Sequence, residues 1–144
     1  MLVQEILKGK PSQEIVSIPS SGTVSEAAEI LSAKRIGALI VSDDGKSVAG
    51  MLSERDIVRE LGRRGVSCMS DCVRDVMTAD IVTCTRSDRA DEVLAVMTEG
   101  RFRHLPVMEE GRLIGLISIG DVVHARLSEV AMEKEALEGM IKGF

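Results

Sequence analysis

Two stretches of the chain leave an apolar run in the same pattern, Leu52-Ser53-Glu54-Arg55-Asp56 and Ile117-Ser118-Ile119-Gly120-Asp121. A serine three residues ahead of an aspartate, where a strand hands over to a helix, offers an anion a hydroxyl, free backbone N–H groups and a positive dipole end. The carboxylate can accept hydrogen bonds from two vicinal hydroxyls. Together these groups suit a ribose phosphate. The same residues also read as a helix start that needs no ligand, with Ser as N-cap and Asp at the third helical position. Recurrence does not separate the two readings, since duplication copies caps as well as sites.

Cations gather near one of the two patterns. Arg101, Arg103 and His104 crowd a short stretch whose counterpart in the first half is Arg35, Gly37 and Ala38, while Arg55 has Gly120 as its counterpart. Guanidinium groups bind phosphate through paired hydrogen bonds, so Arg55, Arg101, Arg103 and His104 are candidate phosphate ligands, each of which also reads as solvated surface charge. Other chemistries find less support. The two histidines, His104 and His124, lie near no nucleophile motif, and neither a Walker loop nor G-x-G-x-x-G occurs. Cys68 and Cys72 are separated by three residues, not the two common in zinc knuckles, so the three cysteines with Cys84 read as reduced structural thiols. No catalytic residue and no metal ligand is assigned.

The elements that must position these residues occur twice. At an offset of 66, Ile15-Val16-Ser17 falls on Ile81-Val82-Thr83, Leu31 on Met97, Arg35 on Arg101, and Leu39 and Val41 on Leu105 and Val107. With one residue dropped, Gly50-Met51-Leu52-Ser53 falls on Gly115-Leu116-Ile117-Ser118, and Val3-Gln4-Glu5-Ile6-Leu7 resembles Val73-Arg74-Asp75-Val76-Met77. Each copy reads as a short apolar strand (15–18; 81–84) and a helix with apolar positions 24, 27, 28, 31 or 90, 93, 94, 97. A hairpin (38–41 with 48–52; 105–108 with 113–117) and a second helix follow. Thr23 with Glu26, and Asp88 with Asp91, predict capping boxes at the first helices.

The unit is therefore β-α-β-β-α, and the class α/β (α+β). About 60 residues bury too little surface alone, so the two copies are expected to pack through their sheets about a pseudo-twofold axis. The expected boundaries are 1–66 for the first repeat, 67–72 for a linker, 73–130 for the second repeat and 131–144 for a C-terminal helical tail. The last stretch of the chain, with Leu127, Val130, Leu137, Met140 and Ile141 among Glu and Lys, is amphipathic, which predicts packing against a partner subunit.

Composition removes several classes of function. With 144 residues, 44% apolar and 28% charged, the chain can fold, and no apolar run is long enough to span a membrane. It is expected to be soluble and cytoplasmic, without a secretory leader. Two Phe, no Trp, no Tyr and a net charge of -5 leave neither stacking platforms nor a cationic surface for nucleic acid.

The duplicated unit, Met77-Thr78 through Ile81-Val82-Thr83, the segment Gly100-Arg101-Phe102-Arg103-His104-Leu105-Pro106-Val107 and the G-x-x-S-x-x-D pattern at both junctions resemble the CBS domain family. The whole is similar to a stand-alone tandem pair, a Bateman module, over about 3–130. The resemblance implies that Asp56 and Asp121 hold ribose hydroxyls of an adenosine ligand and that Ser53 and Ser118 meet phosphate. It further implies that adenine lies against Val16, Ile36 and Ala38, or Val82, Phe102 and Leu105, in clefts between the repeats; each of these side chains equally suits plain core packing. The implied ligand is AMP first, with ADP, ATP, NAD(H) or S-adenosylmethionine open. The implied function is a non-enzymatic regulatory module that homodimerises and signals to an unidentified protein by conformational shift. The alternative is a constitutive dimeric adaptor whose Ser-x-x-Asp pairs only cap helices.

Overall fold

The computed structural model describes residues 1–11 and 14–141. They fall into two compact units, Glu14–Val82 with Glu109–Ile114, and Met1–Gln13 with Thr83–Met108 and Gly115–Phe144. The cuts between units differ from those between sequence repeats, because each repeat's leading segment is counted with the other copy.

In the unit Glu14–Val82 the α-helices are α2 (Val24–Lys34), α3 (Glu54–Arg64) and α4 (Val73–Val76), while α1 (Val3–Gly9) belongs to the other unit. Strands β1 (Ser17–Ile18), β2 (Ala38–Val41) and β3 (Gly50–Ser53) form one sheet in that order. β1 runs parallel to β2, and β2 antiparallel to β3 with Ala38 opposite Ser53 and Val41 opposite Gly50. All four β2 residues are buried, as a continuous apolar run in the middle of a covered sheet should be. Leu39, Leu52 and Ile57 pack with Val24, Ala27 and Leu31 of α2 into one core. The spacing of those α2 residues is the stripe expected from sequence.

Thr23 caps α2 by accepting from the Glu26 N–H at 3.1 Å. α2 ends on Arg35, which takes the left-handed conformation at φ 55° where glycine is usual. In the β2–β3 turn, Asp44 Oδ1 accepts from the Lys46 and Ser47 N–H groups at 2.8 Å. These bonds, the Ser47 one foremost, hold the Asp44 carboxyl far below the usual range.

The second unit contains α1, α5 (Ala90–Gly100), α6 (Ile119–Ile141) and most of β4 (His104–Glu109) and β5 (Arg112–Ser118), which form a two-stranded ladder. The expected strand at 81–84 does not form, and only Cys84 makes a parallel bridge, to Val107. The cause is a proline. In the first copy the Ile40 N–H donates to the Val16 carbonyl at 3.2 Å; the equivalent of Ile40 is Pro106, which has no N–H to give. The capping box expected from Asp88 and Asp91 is also absent. Arg89 is the N-cap, without a side-chain bond, and Asp88 turns back to accept from the Thr85 N–H at 2.8 Å. The Ala90 N–H finds the Met1 carbonyl at 2.9 Å instead.

That contact belongs to a pattern shared by both units. The first N–H groups of α1 donate to the carbonyls of Asp88 and Arg86 at 2.9 and 3.1 Å, and those of α4 to Gly22 and Ser20 at 2.7 and 3.1 Å. These short helices are thus capped by the loop ahead of a long one. The expected tail at 131–144 has no break before it: α6 continues as one helix to Ile141, and 142–144 lie outside the described residues. Cys68 and Cys84 are buried free thiols. Burial first, and the charge of Asp88 second, push the Cys84 thiol up to about 12, so it stays protonated at neutral pH.

Two glycines let chain segments close on the junction strands. A Cβ on Gly50 would lie 2.6 Å from the Thr78 carbonyl oxygen, whereas one on Gly115 would meet only the Leu7 side chain, at 2.8 Å. Thr78 is fixed by exchanging both backbone bonds with Met51 at 2.9 Å. Gly50→Ala is therefore expected to destabilise by about 1–3 kcal/mol in denaturant unfolding, and Gly115→Ala by less, because the end of Leu7 can turn away.

Candidate functional site

Each unit carries one strand-to-helix junction with no loop residue between the elements. β3 ends at Ser53 and α3 begins at Glu54; β5 ends at Ser118 and α6 begins at Ile119. A helix that starts on the last strand residue leaves its first N–H groups without intrahelical acceptors. One is supplied by the loop ahead of the hairpin: the Glu54 N–H donates to the Gly37 carbonyl at 2.9 Å, and the Ile119 N–H to the Arg103 carbonyl at 2.8 Å. Gly37 and Arg103 are equivalent in the repeat. The structure thus ties the bend after α2 or α5 to the junction by backbone alone.

Serine and aspartate supply the rest. At the first junction the Asp56 N–H donates to Ser53 Oγ at 3.2 Å, and Asp56 Oδ2 accepts from the Ser53 N–H at 2.9 Å and the Ser53 hydroxyl at 3.1 Å. Asp56 Oδ1 accepts from Arg59 Nη2 at 3.0 Å. Asp56 is buried at 6% exposure. At the second junction the Asp121 N–H donates to Ser118 Oγ at 3.1 Å, and the Ser118 N–H to Asp121 Oδ2 at 2.9 Å. Lys10 Nζ joins that same Oδ2 at 3.0 Å and the Leu116 carbonyl at 2.7 Å. Burial pulls the Asp121 carboxyl up, but the Ser118 N–H and the Lys10 ammonium outweigh it and hold the group below its ordinary value.

Of the remaining candidates, Ala38 is buried opposite Ser53, and Val16 and Ile36 are half-buried against the core of the same unit. Arg55 is exposed on the first turn of α3. Leu105 is buried in β4, and Phe102 is half-buried with its ring lying over Gly100. Val82 is half-buried at the end of the Glu14–Val82 unit. Arg101 is exposed in the left-handed conformation at φ 58°, matching Arg35, and Arg103 is exposed beside the half-buried His104. His124 is exposed on α6.

Sequence reasoning missed Arg59 and Lys10. Arg59 was within reach, because it stands three residues after Asp56 on one helix face. Lys10 lies over a hundred residues from Asp121, in a loop that is four residues longer than its counterpart in the other copy, so the repeat gave no signal for it. Among the described residues no group of His, Cys, Asp or Glu is arranged to hold a metal, and no helix is long and apolar enough to cross a membrane.

The duplicated junction, carried once by each α+β unit, defines a tandem repeat of one domain type. Residues 3–63 and 73–128 both match the CBS domain family, and the chain belongs to that family. It is 35% identical over 125 residues to the mitochondrial CBS domain-containing protein CBSX3 of Arabidopsis thaliana, covering 84% of this chain and 61% of CBSX3. The chain thus spans less than two thirds of that relative. Among solved structures it resembles the CBS-domain protein ATU1752 of Agrobacterium tumefaciens, with 40% identity and a TM-score of 0.83, covering 88% of this chain and 99% of that one. It also resembles CBSX2 in complex with AMP, with 29% identity and a TM-score of 0.73, covering 88% and 96% of the two chains.

A carboxyl held below its ordinary value stabilises the fold above the unfolded-state pKa, and that contribution is lost as pH falls through the folded-state pKa. Asp121→Ala should therefore lower stability by about 1 kcal/mol at pH 7, the scale of a lost cap. Against wild type the deficit should shrink as pH drops below 4, which paired urea melts across that range would read.

Proposed function

We propose that the protein is a regulatory module that binds an adenosine nucleotide at its Ser-x-x-Asp junctions, with AMP the first candidate and ADP, ATP or NAD(H) as extended forms. The observation that carries this reading is the identical Ser–Asp turn at both strand-to-helix junctions of a chain in the CBS family. The AMP complex of CBSX2 supports the ligand class. In this reading Asp56 and Asp121 accept the ribose hydroxyls, and Ser53 and Ser118 meet phosphate at the helix starts. Arg55, Arg101, Arg103 and His104 supply cations. Val16, Ile36 and Ala38, or Val82, Phe102 and Leu105, wall the base. The protein acts by binding and not by catalysis. A ligand that favours one arrangement of the chain shifts the population of that arrangement, and a separate partner protein reads the shift.

A second reading is a constitutive adaptor without ligand. It is favoured by Asp56, which is buried and whose two oxygens are both taken by Ser53 and Arg59. Thermal denaturation separates the two. AMP at 100 times its dissociation constant should stabilise the protein by about 2.7 kcal/mol, whereas the adaptor shifts with no nucleotide. In calorimetry, 2′-deoxy-AMP should bind more weakly by the ~1.5–3 kcal/mol of one charge-assisted hydrogen bond. Equal binding of the two sugars would remove the aspartates from the ribose role.

The module is further proposed to be a homodimer formed through α6. Leu127, Val130, Leu137 and Ile141 are each at least half exposed, and their spacing places them along one side of the helix. A second copy of this chain presents the same stripe, so the contact can be self-complementary. Deleting 131–144 should weaken association by at least about tenfold in sedimentation, the effect of losing roughly 1.4 kcal/mol. The unfolding midpoint of the remaining chain should hardly move.

A further inference from the structure

The two junctions differ most in what holds the aspartate. At the first, Asp56 pairs with Arg59 from its own helix, whose side chain is 54% exposed and can leave for water at little cost. At the second, Asp121 pairs with Lys10, from the chain after α1. Both side chains are about a quarter exposed. Lys10 is also anchored to the carbonyl of Leu116, which lies in β5 two residues before Ser118. The described contacts of Asp121 all fall on Oδ2, which already receives the Ser118 N–H and the ammonium. A ribose diol engages a carboxylate through both oxygens, so at this junction the second hydroxyl competes with Lys10.

A ligand without negative charge would displace a half-buried ammonium and offer it nothing, which is costly. A ligand with a phosphate close to the sugar replaces the carboxylate with another anion, on the side where the N-terminus of α6 already favours one. The first junction has no such demand.

We propose that Lys10 is the residue that makes the Asp121 junction select phosphorylated nucleosides: it occupies the carboxylate until a nucleotide phosphate takes the ammonium over. The inference rests on the reading of Ser118 and Asp121 as a nucleotide site. Lys10 acts there as a specificity residue, and the same ion pair opposes uncharged nucleosides.

The test is calorimetric titration of the full chain with AMP and with adenosine, comparing wild type with Lys10→Met and Lys10→Arg. Circular dichroism and melting temperature report whether each variant folds, and Lys10→Arg keeps the charge if Lys10→Met does not fold. The expected result is that wild type prefers AMP by about 10- to 100-fold at one site, the scale of one charge-assisted bond. Lys10→Met should lose most of that preference by binding AMP more weakly and adenosine more tightly, and Lys10→Arg should retain it. An unchanged ratio in Lys10→Met, or a ratio lost equally in Lys10→Arg, overturns the role of Lys10 while leaving the nucleotide site standing. Absence of AMP binding by wild type overturns the nucleotide reading and this inference together.

Discussion

A strand that becomes a helix between one residue and the next must find acceptors for the helix's first N–H groups inside a space already filled by the sheet. Most of the architecture around Ser53 and Ser118 answers that requirement. One acceptor comes from the bend before the hairpin, through Gly37 or Arg103, and one from the serine hydroxyl. The aspartate closes the circle by accepting from the serine N–H. Because the bend must reach the junction, the preceding helix has to stop sharply, and both α2 and α5 do so on an arginine in the left-handed conformation. A non-glycine residue in that conformation costs energy, so its recurrence at Arg35 and Arg101 shows how tightly the bend is specified by what lies after it.

The parts of this arrangement that depend on nearest neighbours in sequence are legible without coordinates. The apolar spacing in α2 and α5, the Asp43-Asp44-Gly45 and Glu109-Glu110-Gly111 turns, and the Ser-x-x-Asp starts all declare themselves locally. What escapes is set by partners far along the chain. The Ala90 amide is capped by Met1 rather than by Asp88, and nothing near Asp88 announces this. The segment Ile81-Val82-Thr83-Cys84 repeats the apolar pattern of Ile15-Val16-Ser17-Ile18, yet its fate is decided by Pro106 on the neighbouring strand. Lys10 is the same kind of case at the site. The serine and aspartate were readable, the cation was not.

The exchanged short helices explain why a repeat in sequence need not be a repeat in packing. α1 donates its first amides to the loop at 86–88, and α4 donates its own to the loop at 20–22. Neither four- nor seven-residue helix could persist in water by itself, since nucleation is costly at that length. Each is held because a loop ahead of a longer helix has carbonyls to offer. The same route brings Lys10, which directly follows α1, to the second junction, and brings Met77 and Thr78, which directly follow α4, to the first. Met77 and Thr78 close over Gly50 with backbone and apolar atoms, whereas Lys10 arrives with a charge.

Duplication therefore preserved the turn but not its electrostatics. In both copies the aspartate serves the fold first, since it completes the cap whether or not a ligand is present. Ligand binding at such a group is an exchange of partners and not a new contact, so its net free energy is the difference between the ligand's hydrogen bonds and those it displaces. Where the displaced partner is an exposed arginine on the same helix, that difference favours any ligand with the right shape. Where it is a lysine held by a carbonyl as well as the carboxylate, the difference is favourable only for a ligand that can receive the ammonium in turn. On the proposal made for Lys10, two junctions of one geometry answer to different members of one ligand class, and the distinction lies in a single residue that directly follows the short helix α1.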